Sequence, residues 1–156
     1  MKPFLTMTLT LIALAPVALH GQAPVDEGCT NATLKGAYGV TLTGTGNTPT
    51  VPANSVYLPG ALQQVVGIVL QIYDGKGSFT QIDNVKGNIG GIVQDRPGRG
   101  TYTVNPDCTC TQTVIPPGDV PPVFTKCVIV DGGKEIRAVV VLPLQNMTLA
   151  NGRKVN

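Results

Sequence analysis

Apolar and polar positions alternate with a period of two through much of this chain, and glycine turns break the alternation at short intervals. Tyr38, Val40 and Leu42 alternate with Gly39, Thr41 and Thr43, which is the pattern of a strand with one buried face. Over residues 63–73, Val66, Ile68, Leu70 and Ile72 fall on one face and Val65, Val69 and Tyr73 on the other, predicting a strand buried on both sides. Asp74-Gly75-Lys76-Gly77 then reads as a hairpin turn into a strand over 78–85. A short segment over 89–94 follows, with room for a bulge among its glycines. Arg96-Pro97-Gly98 reads as a turn into a strand over 100–104, and Asn105-Pro106-Asp107 as a turn into 108–114. Prolines 116, 117, 121 and 122 make a stiff loop that cannot join a central strand. Phe124–Val130 and Glu135–Leu142 form a hairpin around Asp131-Gly132-Gly133-Lys134. Met147–Val155 adds an edge or closing strand, interrupted at Asn151-Gly152. Residues 44–60, rich in Gly, Thr, Pro and Asn, read as a long loop, either a lid or a packed Ω-loop.

Eight or nine consecutive strands with short links predict an all-β chain. A single antiparallel up-and-down β-barrel leaves no open strand edge and is the expected architecture. A two-sheet β-sandwich is the alternative.

Residues 1–21 change the picture of where this fold operates. Lys2 supplies a positive start, and the apolar run from Phe4 to Leu19, broken by Pro16, is too short to span a bilayer. The segment reads as a secretory signal peptide, with Gly21 and Ala23 as the small residues at the cut and Gln22 as the preferred new N-terminus. Residues 22–33 then form an N-terminal leader and 34–156 the barrel domain, giving a secreted or periplasmic mature chain of about 135 residues, enough for one core. The chain has 11 Lys and Arg against 9 Asp and Glu, so loss of Lys2 leaves it nearly neutral. Its charges are spread along the chain and form no basic stripe, which argues against nucleic acid as a partner.

The single histidine, His20, lies in the signal, and the chain has no tryptophan. The mature protein therefore has neither a Ser-His-Asp nor a Cys-His arrangement, and no histidine metal site. Carboxylates remain as acid–base candidates. Asp74, Asp107, Asp119 and Asp131 occupy turns, where aspartate serves the backbone. Asp83 and Glu135 fall in or beside strands, and Glu135 shares a face with Arg137. That pair could hold a polar ligand group if it lines a barrel; facing solvent it is an ordinary surface pair. Tyr38 and Tyr102 sit in similar Gly-x-Tyr settings, where aromatic packing over glycine explains them and a role at a barrel mouth is the functional alternative. Tyr38, Asp83, Tyr102, Glu135 and Arg137 are thus the candidate ligand-binding residues. No catalytic residue, metal ligand or cofactor motif is assigned.

Four stretches carry a resemblance: CTNATLKGAYG over 29–39, DGKGSFT over 74–80, GTYTVNPDCT over 100–109 and VIVDGGKEIR over 128–137. In their order and spacing they resemble a group of small exported bacterial proteins without established activity. The resemblance implies a lipocalin-like or allene-oxide-cyclase-like barrel and carries no function with it. This chain departs from that group at Cys110, where glycine is usual, and in a longer loop over 116–122.

Four cysteines in an exported chain read as two disulfides. Cys108 and Cys110 share a strand face and are poorly placed to bridge each other. Cys127 lies on the strand expected beside 108–114, so Cys110–Cys127 with Cys29–Cys108 is the preferred scheme. The resemblance supports that split, because Cys29 and Cys108 fall in the recurring motifs. Cys29–Cys110 with Cys108–Cys127 stays open. The functional expectation is an exported, non-catalytic binding or envelope-associated module with a small apolar molecule as candidate ligand. A cyclase- or isomerase-type barrel enzyme and a structural or adhesive surface protein are the alternatives; the oligomeric state is not legible.

Overall fold

The computed structural model describes residues 28–48, 60–118 and 120–155. The expected signal peptide at 1–21, the first part of the expected leader, residues 49–59 of the long loop, Asp119 and Asn156 lie outside the described residues. Eight antiparallel strands form a closed up-and-down barrel, each paired with its sequence neighbours. They are β1 (Gly36–Asn47), β2 (Leu62–Tyr73), β3 (Ser78–Gly87), β4 (Gly91–Val104), β5 (Thr109–Ile115), β6 (Val123–Val130), β7 (Glu135–Leu142) and β8 (Met147–Lys154). β8 closes the ring on β1, with Tyr38 opposite Lys154 and Thr45 opposite Met147. Asn151-Gly152 does not interrupt it.

Three sequence expectations are corrected. The strand over 63–73 has one buried face only. Gln63, Val69, Gln71 and Tyr73 point inward, while Val66, Ile68, Leu70 and Ile72 stand exposed outside. A closed single-layer barrel has no second layer to cover them. Residues 44–47 continue β1 rather than opening the loop, because Gly44–Asn47 pair with residues 62–65. Arg96-Pro97-Gly98 is not a turn either; β4 runs through it. Proline is tolerated there for a local reason. Tyr102 donates its N–H to Gly77 ahead of β3, so by alternation the amide position of residue 97 faces the β5 side. β5 ends at Ile115, which pairs with Arg99, and no described strand lies beyond it. The donor that Pro97 lacks would have had no strand partner.

One end of the barrel is closed. Tyr73 packs edge-on against Tyr38 and Tyr102, with centroids 5.3 and 5.1 Å away, and tilted against Phe79 at 5.2 Å. Leu34, Ile129, Ile136 and the Cys110–Cys127 pair complete this core. A short 3₁₀ turn, Asn31–Leu34, caps it from outside the ring. Asn31 accepts from the Tyr102 hydroxyl through its carbonyl and from the Val104 N–H through its side chain. The leader's last residues are therefore part of the barrel's lid. Gly133 is required at the β6–β7 turn: it has φ +89°, and a Cβ there would meet the Thr33 carbonyl oxygen at 2.5 Å.

Two cysteine pairs stand at disulfide distance, Cys29 with Cys108 and Cys110 with Cys127. Cys110 and Cys127 are directly opposite across β5 and β6 and point inward. Cys108 precedes β5 with φ +63°, so it leaves the strand's alternation and reaches Cys29 at the barrel end.

Candidate functional site

The inward positions of the other half are small. β7 and β8 set Ala138 opposite Ala150 and Ile136 opposite Gly152, and β1 contributes Val40, Leu42 and Gly46. Eight strands enclose just enough room for side chains to meet, and here the side chains are too short to fill it. Among the described residues, the result is a cavity of about 270 Å³ that opens at the end away from the aromatic core. Its mouth is framed by Asn47, Gln63, Pro116, Val120 and Asn146. The Gln63 side-chain oxygen accepts from the Ile89 and Gly90 N–H groups at 3.2 and 2.8 Å, tying down the β3–β4 turn. The Asn146 side-chain oxygen accepts from Asn47 N–H at 3.1 Å and ties the β7–β8 turn to β1.

The wall is divided by chemistry. Valines and alanines of β1, β7 and β8 form an apolar side. Across from them, polar side chains of β2, β3 and β4 form a hydrogen-bonded chain. Asp83, 4% exposed, accepts from Arg96 through both oxygens, Oδ1 from Nε at 2.9 Å and Oδ2 from Nη2 at 3.2 Å. Gln81 donates to Asp83 Oδ2 at 3.1 Å, Gln71 donates to Gln81 at 3.0 Å, and the Tyr73 hydroxyl donates to Gln71 at 2.8 Å. Asp83 only accepts, so Gln81 must turn its amide nitrogen toward it, and that choice orients every later member. All the donors therefore point toward the carboxylate, an arrangement in which each bond polarises the next. Burial pushes the Tyr73 phenol well above its ordinary pKa, with a hydrogen bond from Gln112 working the other way and the neighbouring Tyr38 and Tyr102 adding to the rise. Tyr73 is thus a neutral donor at any physiological pH.

Arg96 reaches the lumen because of a bulge. The β3–β4 register shifts between Asp83 and Val85, so Gln94 and Asp95 together oppose Asn84. Asp95 takes φ +47°, and Asn84 accepts its N–H at 3.1 Å. Val93 and Arg96, three residues apart, consequently both face inward. Regular alternation would turn one of them out.

Of the five sequence candidates, Asp83 alone lines this cavity. Tyr38 and Tyr102 point inward but belong to the closed end, where both hydroxyls are spent on backbone carbonyls, of Gly133 and Asn31. Burial raises both phenols above their ordinary pKa. Glu135 and Arg137 do not line the lumen: they alternate outward from the buried Ile136 and pair with each other at 3.4 Å, the ordinary surface pair that was the other reading of their spacing. Arg96 and the glutamines Gln71, Gln81 and Gln112 were not singled out from the sequence. The even spacing of Arg96 from inward Tyr102 was the available signal, masked by reading Arg96-Pro97-Gly98 as a turn. Among the described residues no group of three His, Cys, Asp or Glu side chains could hold a metal ion. No helix among them is long and apolar enough to cross a membrane. No protein-family model, curated protein or solved structure matches the chain.

Proposed function

We propose that the protein is an exported binding module that carries a small, largely apolar molecule in the open half of its barrel. The observation behind this reading is the divided lumen: one end packed solid by four aromatic rings, the other left hollow over an apolar wall and one buried ion pair. A barrel with a purely structural role gains from a filled interior, since empty apolar volume forfeits packing energy. By the scale on which a 150 Å³ apolar cavity takes benzene, the space suits a ligand on the order of ten non-hydrogen atoms. Paired cysteines fit an oxidising compartment, in keeping with secretion to the periplasm or beyond. The resemblance to small exported bacterial proteins is part of the same proposal.

A cyclase or isomerase is the weaker reading. Among the described residues Asp83 is the one carboxylate lining the lumen, and its oxygens already accept from Arg96 and Gln81, which commits it to holding Arg96. The test is native mass spectrometry of the protein recovered from its own exporting cell. A co-purifying small molecule, lost on Val40→Phe substitution in the lumen, is the expected result. Ligand-free protein from repeated preparations, together with no uptake of small aromatic probes by the wild type, would overturn the proposal.

A further inference from the structure

Beside Arg96 the polar side of the lumen has unspent donors while its nearest acceptors are committed; Thr125 Oγ1, on the β6 part of the same wall, has no hydrogen-bond partner. Gln71 and Gln81 each use an amide hydrogen and the amide oxygen within the chain, and the Asp83 oxygens receive three bonds. Arg96 carries five N–H groups and commits two of them to Asp83. Its side chain is 25% exposed against 5% for that of Asp83, so an incoming molecule meets the guanidinium and not the carboxylate.

Charge narrows the choice further. Arg96 and Asp83 neutralise each other at 2.9 Å. An anionic guest would leave a net negative charge in a largely apolar enclosure beside a buried carboxylate. A cationic guest would face the guanidinium. Either arrangement carries the desolvation cost of a buried charge without a free counter-charge to offset it.

Resting on the ligand-binding reading above, we infer that the lumen selects small neutral molecules bearing one hydrogen-bond acceptor, such as a ketone, ester, lactone or ether. The acceptor sits on the Arg96 guanidinium, and the body lies against the apolar wall of Val40, Leu42, Ala138, Val140 and Ala150.

Four probes sharing one ring separate the possibilities: acetophenone, ethylbenzene, benzoate and benzylammonium. Each is titrated into the full mature protein with ¹⁵N-labelled arginine. Acetophenone is expected to bind and to shift the Arg96 side-chain N–H signals. Ethylbenzene is expected to bind without shifting them, and both ions to bind at least tenfold more weakly than acetophenone. In the double variant Asp83→Asn/Arg96→Met, which keeps an acceptor for Gln81, acetophenone affinity should fall about tenfold while that of ethylbenzene holds. The wild-type spectra carry the test even if that variant does not fold. Benzoate binding most tightly, or acetophenone binding with the Arg96 signals unmoved, would overturn this inference and leave the binding function standing. Failure of all four probes to bind would remove the binding function itself.

Discussion

At one end of the barrel, Tyr38, Tyr73, Phe79 and Tyr102 meet ring against ring, a turn and a tethered leader lie over them, and both cysteine pairs sit alongside. At the other, valine, alanine and glycine leave about 270 Å³ open beside an ion pair. All eight strands reach the closed end, whereas β5 stops at Ile115 and does not run beside residues 91–98 of β4. The difference lies mainly in the size of the inward side chains, which concentrates packing at one end and leaves space at the other.

The largest test of that division is removal of the Cys29–Cys108 pair, which spans a sequence separation of 79. Loop-closure entropy gives about 4.5 kcal/mol for that pair. For Cys110–Cys127, with a separation of 17, it gives about 3 kcal/mol. Denaturant titration of the paired Cys→Ser variants should reproduce this order. Next comes packing. Tyr73→Ala should cost about 3–5 kcal/mol by the same titration, since it empties the centre of the aromatic cluster. Gly100→Ala at the same end should be severe as well, because its Cβ would stand 2.3 Å from both the Phe79 ring and the Thr113 carbonyl oxygen. A mild effect from either would mean that the closed end does not carry the fold.

Arg96→Met is expected to cost about 2–3 kcal/mol by leaving Asp83 buried without its cation, somewhat below a fully buried pair because Arg96 is partly exposed. Within the hollow half, Val140→Ala should cost less than about 1 kcal/mol, since the space it would empty is already open. Ala138→Leu should fold normally and abolish probe uptake. Losses of several kcal/mol from these two changes would erase the contrast between the ends. The smallest effect concerns pH. Asp74 is held below its ordinary pKa by the N–H groups of Ser78 and Lys76, with Gly77 adding to them, all within the β2–β3 turn at the closed end. Asp107 is lowered by the Thr109 hydroxyl and N–H. A depressed carboxylate pKa contributes stability above its unfolded value and loses it as pH falls through the folded one. Asp74→Asn should therefore flatten the acid limb of the stability curve, and an unchanged acid limb would rule Asp74 out as a contributor.

The frame was legible because alternation and turn chemistry are local. Val40 and Leu42 announce their face, and Asp74-Gly75-Lys76-Gly77 announces its turn, without help from distant residues. The outcome at Val66, Ile68, Leu70 and Ile72 was not, since whether a second layer covers a strand depends on the rest of the chain. The site was mostly hidden for a related reason. Asp83 was visible as a lone carboxylate on a strand, whereas Arg96 depends on an odd residue inserted in β4. Glu135 and Arg137 show the converse case: their spacing puts both on one strand face, and the apolar Ile136 between them is what marks that face as the outer one.

β4 has 14 residues and β5 only 7, so residues 91–98 are laddered to β3 on one side and to no described strand on the other. The stretch that carries Arg96 is thus held by half the usual number of cross-strand bonds. Opening it disturbs one ladder, whereas opening any fully paired stretch disturbs two. Amides of this stretch should exchange with solvent at a smaller opening free energy than those of β1 or β2. A molecule bound to Arg96 would slow that exchange. The wall of this barrel has a seam, and the seam runs beside the charged pair.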